Sequence, residues 1–185
     1  MKETIQRRRT VRSFLPQPLT LPQVSQVLWA AQGITGGDKR AAPSAGALYP
    51  MDVYAIVGKD RVELLEAGIY HYEPQGHRLS PVTKGDLRAV ASRAALSQMW
   101  MADAPLIIVI TAEYRRIAVK YGDRGTRYAM IEAGHIGQNI FLQAEALGLR
   151  AGIVGAFDDE KLIEAMKIPR SHEPLLMMPV GYGSE

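Results

Sequence analysis

The segment Thr126 to Leu149, TRYAMIEAGHIGQNIFLQAEALGL, constrains this chain more than any other because it carries two apolar stripes on one helical period. Ala129, Ala133, Ile136, Ile140, Ala144 and Leu147 recur at the spacing of one helix face, and Met130, Gly134, Gly137 and Phe141 form a second. A surface helix needs one stripe, so two predict burial on two sides. A chain of 185 residues supports about one core. One side of the helix is therefore expected to pack on the chain's own sheet and the other on a second copy.

The remaining elements follow from periodicity and punctuation. Leu21 onward has helical spacing at Val24, Val27, Leu28 and Ala31, and Gly33 stops it; GITGGDKRAA then reads as a loop. Asp52 to Gly58 reads as a strand, Gly68 to Val82 as a hairpin around PQG, and Lys84 to Leu96 as a helix. Pro105 to Ala112 is apolar throughout, the pattern of a strand covered on both faces. AGIVGAF predicts a short strand, DDEKLIEAMKI a helix capped by Asp158, and PLLMMPVGYG a last strand. Helices and strands do not alternate as in a doubly wound sheet, so the class expected is α+β. No repeat or linker divides the chain, and residues 1–185 are expected to form a single domain.

Most familiar chemistries are missing. The absence of cysteine removes disulfides, thiol catalysis, iron–sulfur clusters and cysteine-based zinc sites. There is no dinucleotide fingerprint, phosphate loop, H-E-x-x-H or nucleophile elbow. His71 and His77 flank the hairpin turn, where solvent-facing histidines are commoner than metal ligands. Glu132, His135 and Asn139 make a polar row on the long helix, read first as hydrogen-bonded groups where two buried helices meet. A net charge of +3 is too mild to argue for nucleic acid. The N-terminus lacks an apolar signal region, and the run Ala104 to Ile110 is too short to span a bilayer. A soluble, cytoplasmic chain with no membrane or nucleic-acid partner is the expectation.

An enzyme can lack reactive side chains when a cofactor carries the reaction and the protein supplies binding, orientation and electrostatics. A flavin fits that description. Three segments together resemble the FMN-dependent nitroreductase family: RRRTVRSF (Arg7 to Phe14), PSAGALYP (Pro43 to Pro50), and LGLRAGIVGAFDDEKL (Leu147 to Leu162) followed by PVGYG. The SAGALYP form and the run YGDRGTRYAMIEAGHIGQN are similar to the branch that includes the azoline dehydrogenases of toxin-type peptide maturation.

The resemblance implies a nitroreductase-like mixed sheet flanked by helices, in an intertwined homodimer with FMN at the subunit interface. It implies that Arg8 and Arg12 hold the phosphate and ring edge, with Arg9 and Thr10 beside them, since a guanidinium suits a phosphate bidentately. Pro43, Ser44, Ala45 and Gly46 would lie against the flavin of the neighbouring subunit with Leu48 nearby, small side chains letting backbone approach a flat ring. Val154, Gly155 and Ala156 match the strand end whose amides reach flavin N5 and O4. Family members commonly carry a further phosphate-binding cation after the last strand, where this chain reads Gly183, Ser184, Glu185; Lys39 or Arg40 are the expected helpers. The implied reaction is ping-pong, from NADH or NADPH through FMN to a small planar acceptor such as a nitroaromatic or quinone. The alternative is azoline oxidation on a peptide-borne or small heterocycle. Tyr114 to Tyr121 and the Gln98–Trp100 turn are expected lid segments.

Overall fold

The apolar run at Leu106–Ala112 lies inside a sheet, and all seven of its residues are buried. The computed structural model describes residues 1–184. In chain order the elements are α1 (Lys2–Arg7), α2 (Leu21–Gln32), β1 (Ile34–Gly36), β2 (Lys39–Arg40), β3 (Met51–Val57), β4 (Gly68–Glu73) and β5 (Arg78–Lys84). Then follow α3 (Arg88–Ala94), β6 (Leu106–Ala112), α4 (Arg115–Tyr121), α5 (Arg124–Ala146), β7 (Arg150–Ala151), α6 (Asp159–Met166) and β8 (Glu173–Gly181).

Six strands form one sheet in the order β5-β4-β3-β6-β8-β7, with β1 and β2 as a separate small hairpin. Every ladder of the large sheet is antiparallel. Parallel bridges join Leu19 to Val62 and Thr10 to Ala151, the second laying the N-terminal segment along the edge of β7. This is the α+β architecture with a sheet flanked by helices. Strand alternation divides the core in two. Val53, Ala55, Ile108 and Ile110 point into the layer closed by α2 and α5. Tyr54, Ile56, Ile107 and Val109 point into the layer closed by α3 and α6.

Local chemistry sets the helix starts. Thr20 and Gln23 form a reciprocal capping box on α2, and the Asp158 carboxylate accepts from the Lys161 N–H at 3.1 Å on α6. The helix expected over Lys84 to Leu96 is shorter, because Lys84 is the last residue of β5 and Gly85 turns the chain at φ 97°. The stretch expected as a loop after Gly33 contains the β1–β2 hairpin. The strand expected over AGIVGAF is reduced to Arg150–Ala151 plus a bridge from Val154 to Met177. Among the described residues no helix is long and apolar enough to cross a membrane.

The long helix begins at Arg124, two residues before the expected start. Ala129, Ala133, Ile136, Ile140 and Ala144 of its first stripe are all buried. The second stripe divides: Gly137 and Phe141 are buried, whereas Met130 and Gly134 face outward with Ile131. Truncation of Ile136 to alanine is expected to cost about 2–5 kcal/mol of folding free energy, and Thr20→Ala about 1 kcal/mol. Urea denaturation of the two variants measures both.

Candidate active site

The N-terminal arm supplies the cations. The Val11 N–H donates to the Ala151 carbonyl at 3.0 Å, so this segment is extended and its side chains alternate. Arg8 projects over the Phe141 ring, guanidinium carbon 5.1 Å from its centroid, and Arg12 over Trp100 at 5.9 Å. Neither guanidinium is paired with a carboxylate among the described residues. Arg9 turns back to donate to the carbonyls of Gln6 and Arg8, and lines a separate cleft of about 860 Å3 with Arg7 and Arg150. The four arm residues of the sequence reading are thus divided: Arg8 lies over Phe141, Arg12 over Trp100, Thr10 pairs with the sheet edge, and Arg9 faces elsewhere.

Beside Arg12 the backbone is bare. Val154 exchanges both backbone hydrogen bonds with Met177 at 2.8 Å, but Gly155 and Ala156 are exposed and their N–H groups make no hydrogen bond within the described residues. The Gln98 side-chain amide donates to the Ala156 carbonyl at 3.2 Å, and Trp100 stacks on Phe14 with ring centroids 6.4 Å apart. A side chain at Gly152 would meet the Val11 carbonyl at 2.8 Å and Trp100 at 2.9 Å, so glycine is what lets arm, indole and strand converge. The Gln98–Trp100 segment therefore packs against the Arg12 and Ala156 positions.

The second half of the candidate site is the Pro43–Leu48 turn. Ser44 precedes a 3₁₀ turn at Ala45–Ala47, and its hydroxyl accepts from the Tyr49 N–H at 2.9 Å. Gly46, Ala47 and Tyr49 have φ of 62°, 54° and 47°, so the turn holds three residues in the left-handed region. A Cβ on Gly46 would lie 2.9 Å from the Tyr121 hydroxyl and 3.2 Å from the Lys120 ammonium. Pro43, Ser44 and Ala45 line a cleft of about 260 Å3 with Tyr128, Ile131, Glu132 and His135. Leu48 closes the turn, its N–H on the Ala45 carbonyl at 3.4 Å.

A buried carboxylate supports this turn from beneath. Glu132 is 1% exposed; its Oε1 accepts from Gln32 at 3.2 Å, while Oε2 has no hydrogen-bond partner. Burial pushes the Glu132 carboxyl above its ordinary range, partly opposed by Ser44, Gln32 and the charge of Arg40. Arg40 donates to Gln32 Oε1 at 3.1 Å and stacks 4.4 Å above Tyr49. It is committed to this network and does not join Arg8 and Arg12. Asn139 donates to the carbonyls of Ala30 and Ala41, so the polar row does join α5 to α2, with His135 left exposed toward the cleft.

The two halves lie on different stretches of α5. Arg8 covers Phe141, and the Ser44 cleft covers Glu132; nine residues of helix separate them by about 14 Å.

Lys120, Tyr121 and Trp100 fall in the segments expected as lids and Glu132 in the expected polar row, but the contacts each makes are not written in the sequence. Proximity to Gly46 depends on the path of α4, which no sequence period reports. A further group stands at the end of β3: ligand atoms of Asp52, Glu113 and His172 lie within 4.8 Å of one another. Arg116 lies between the carboxylates, 2.8 Å from Asp52 and 2.9 Å from Glu113, and already supplies the cation. His71 bonds Asp52 at 2.8 Å and His77 bonds Ser25 and Tyr72, so the two hairpin histidines serve different partners.

The Nitroreductase family profile matches residues 5–182. A Methanocaldococcus jannaschii protein named for that family is 42% identical over 184 residues, covering 98% of this chain and 90% of the relative. The Escherichia coli microcin B17-processing protein is 28% identical over 150 residues, 79% of this chain and 55% of that protein. A solved Ralstonia eutropha structure described under the same family name superposes with a TM-score of 0.82 at 28% identity, covering 98% of this chain and 82% of its own.

The raised Glu132 carboxyl has a testable sign. A carboxyl whose folded pKa lies above its unfolded value of about 4.3 contributes stability present below that value and lost as pH rises through the folded one. The stability of the wild type relative to Glu132→Gln is therefore expected to fall as pH is raised from the acid side through the raised carboxyl pKa. Paired denaturation curves at a series of pH values measure that difference.

Proposed function

Since the chain belongs to the nitroreductase family, we propose that it is an FMN-dependent oxidoreductase acting as a homodimer, which carries hydride from NADH or NADPH to a nitroaromatic, quinone or similar planar acceptor. The observation that carries this reading is the presence, among the described residues, of cations without a carboxylate partner and backbone donors without an acceptor. Arg12 lies over Trp100, in the turn whose Gln98 amide reaches the Ala156 carbonyl beside the exposed Gly155 and Ala156 N–H groups, and Arg8 lies farther along over Phe141. These groups fit a ligand with a phosphate at one end and carbonyl and ring-nitrogen acceptors at the other.

Bound FMN would supply a ring that accepts a hydride and gives it up again. The chain's own residues supply the rest. Guanidinium groups at Arg8 and Arg12 would grip the phosphate through charge-assisted hydrogen bonds. The Gly155 and Ala156 amides would donate along the ring edge, where fixed donors cost no reorganisation as charge develops. Small side chains at Ser44, Ala45 and Gly46 would let the turn lie flat against the ring held by a second copy. The separation of the two halves along α5, and the outward apolar residues Met130 and Ile131, support that shared arrangement. The same slot would receive the nicotinamide and the acceptor in turn.

A second reading, oxidation of an azoline-type heterocycle, is favoured by the similarity to the microcin B17-processing protein. Such a substrate must also give up a ring proton to a base, and the Lys120 amine in its neutral form or the Tyr121 oxygen as phenolate, both beside the Gly46 turn, would be the side chains to accept it.

Protein purified in the presence of FMN is expected to be yellow and to run as a dimer in sedimentation. Anaerobic NADH or NADPH is expected to bleach it; bleaching by a thiazoline donor but by neither nicotinamide selects the second reading. Arg8→Ala or Arg12→Ala is expected to weaken FMN binding about 10–100-fold, the worth of a hydrogen bond to a charged group. A chain that stays colourless in excess FMN overturns the proposal, and a stable monomer holding FMN overturns the shared site.

A further inference from the structure

We propose that Arg116 is a positioning residue, clamping α4 to the sheet and so setting Lys120 and Tyr121 over Gly46. The inference rests on reading the Pro43–Leu48 turn as the flavin cradle. Helix α4 has seven residues, too few to hold its own conformation in water. It has one buried residue, Ile117, while Val119 is 82% exposed. Apolar packing alone leaves such a helix weakly located.

The clamp is electrostatic and has a rigid receiving end. Arg116 reaches Asp52 on β3 and Glu113 at the exit of β6. The Asp52 carboxylate is buried, and His71 holds its other oxygen at 2.8 Å. Burial alone would raise the Asp52 carboxyl, but the His71 hydrogen bond and the Arg116 charge bring it below its ordinary range. His172, 3.8 Å from Asp52 and 3.9 Å from Glu113, is fixed through its Nδ1 to the Tyr54 hydroxyl at 2.7 Å.

These contacts close a circuit. The Glu113 N–H donates to the Pro50 carbonyl at 2.8 Å, tying the start of α4 to the outgoing end of the cradle turn. Five residues after Arg116, Tyr121 returns to the middle of that turn at Gly46. Gly122, at φ 52°, then breaks α4 from α5. Both ends of α4 thus touch one short segment, Gly46 to Asp52, and Arg116 is the charged contact that fixes the first end. Arg8 and Arg12 bind elsewhere, so loss of the clamp is expected to disturb turnover and to spare cofactor affinity.

The test compares the full-length wild type, Arg116→Met, Arg116→Lys and the exposed control Val119→Ser. Amide exchange of residues 115–122 is expected to accelerate about tenfold in Arg116→Met, the loss of a half-exposed ion pair to a buried carboxylate, with β3 and β6 unchanged. Arg116→Lys should be intermediate and Val119→Ser like wild type. Acceptor kcat should fall by a similar factor in Arg116→Met and recover in part in Arg116→Lys, with FMN affinity and nicotinamide KM held. Should Arg116→Met not fold, Glu113→Gln removes one of the two negative charges that hold the guanidinium and is expected to act in the same direction. Unchanged exchange in α4 overturns the clamp; faster exchange with undiminished kcat overturns the positioning role. A wild type that takes up no FMN defeats the functional reading by itself, and exchange on the ligand-free chain still decides the clamp.

Discussion

Two-sided burial of β3 and β6 governs the rest of the molecule. Every residue of both strands is buried, with one set of side chains committed to the α2–α5 layer and the other to the α3–α6 layer. The polar exceptions apart from Tyr54 are Asp52 and Thr111, and they face each other in the ladder at one end of the sheet. Buried polar groups need partners, so the middle of such a sheet has no room for reactive side chains. Functional groups must come from segments that enter or leave at the ends and edges. The N-terminal arm on β7, the turn feeding β3 and the segment after Ala151 are such places, and the residues proposed to hold the cofactor lie there.

Those features differ in how far the sequence announces them. Leu106–Ala112 and the buried stripe of α5 are legible because burial writes a continuous or helical apolar pattern. The β1–β2 hairpin is not, because strands of two and three residues, none of them buried, carry no period. Helix α4 escapes for a related reason: with Ile117 alone buried it has no stripe. The division of Arg8 and Arg12 from Arg9 follows from strand alternation once the arm is known to be extended, but the pairing of Thr10 with Ala151 is a long-range contact. The left-handed conformations of Ala47 and Tyr49 are likewise imposed on residues that do not ask for them. Tertiary structure, through the Ser44 hydroxyl on Tyr49 and the Arg40 stack, holds the turn against its local preference.

The seam between α2 and α5 joins core and site. Its polar members, Gln32, Glu132 and Asn139, are costly to bury unless each is satisfied. Asn139 meets two carbonyls and Gln32 meets both Glu132 and Arg40, but one Glu132 oxygen is left over beneath the cleft at Ser44. An apolar seam would be simpler and would secure the helices as well. What the polar version adds is a chain of contacts from the interior to the backbone of the cradle turn, so the conformation of residues 40–49 is set by the core itself.

The proposed dimer has a geometric argument in the numbering of α5. Phe141 marks the cation half and Tyr128 the outer end of the cradle cleft. Their midpoint falls between Gly134 and His135, both exposed, and a Cβ on Gly134 would meet nothing within 4 Å. An isologous contact places the same patch of each copy across a two-fold axis. If that axis passes the α5 helices antiparallel at Gly134, the Phe141 end of one copy comes opposite the Tyr128 end of the other. Each cation half then faces the other copy's cradle, and two equivalent sites form at once. A glycine at the crossing lets the helices approach closely, which gives the second apolar stripe, half inside the chain and half outside it, a reason to be glycine-rich.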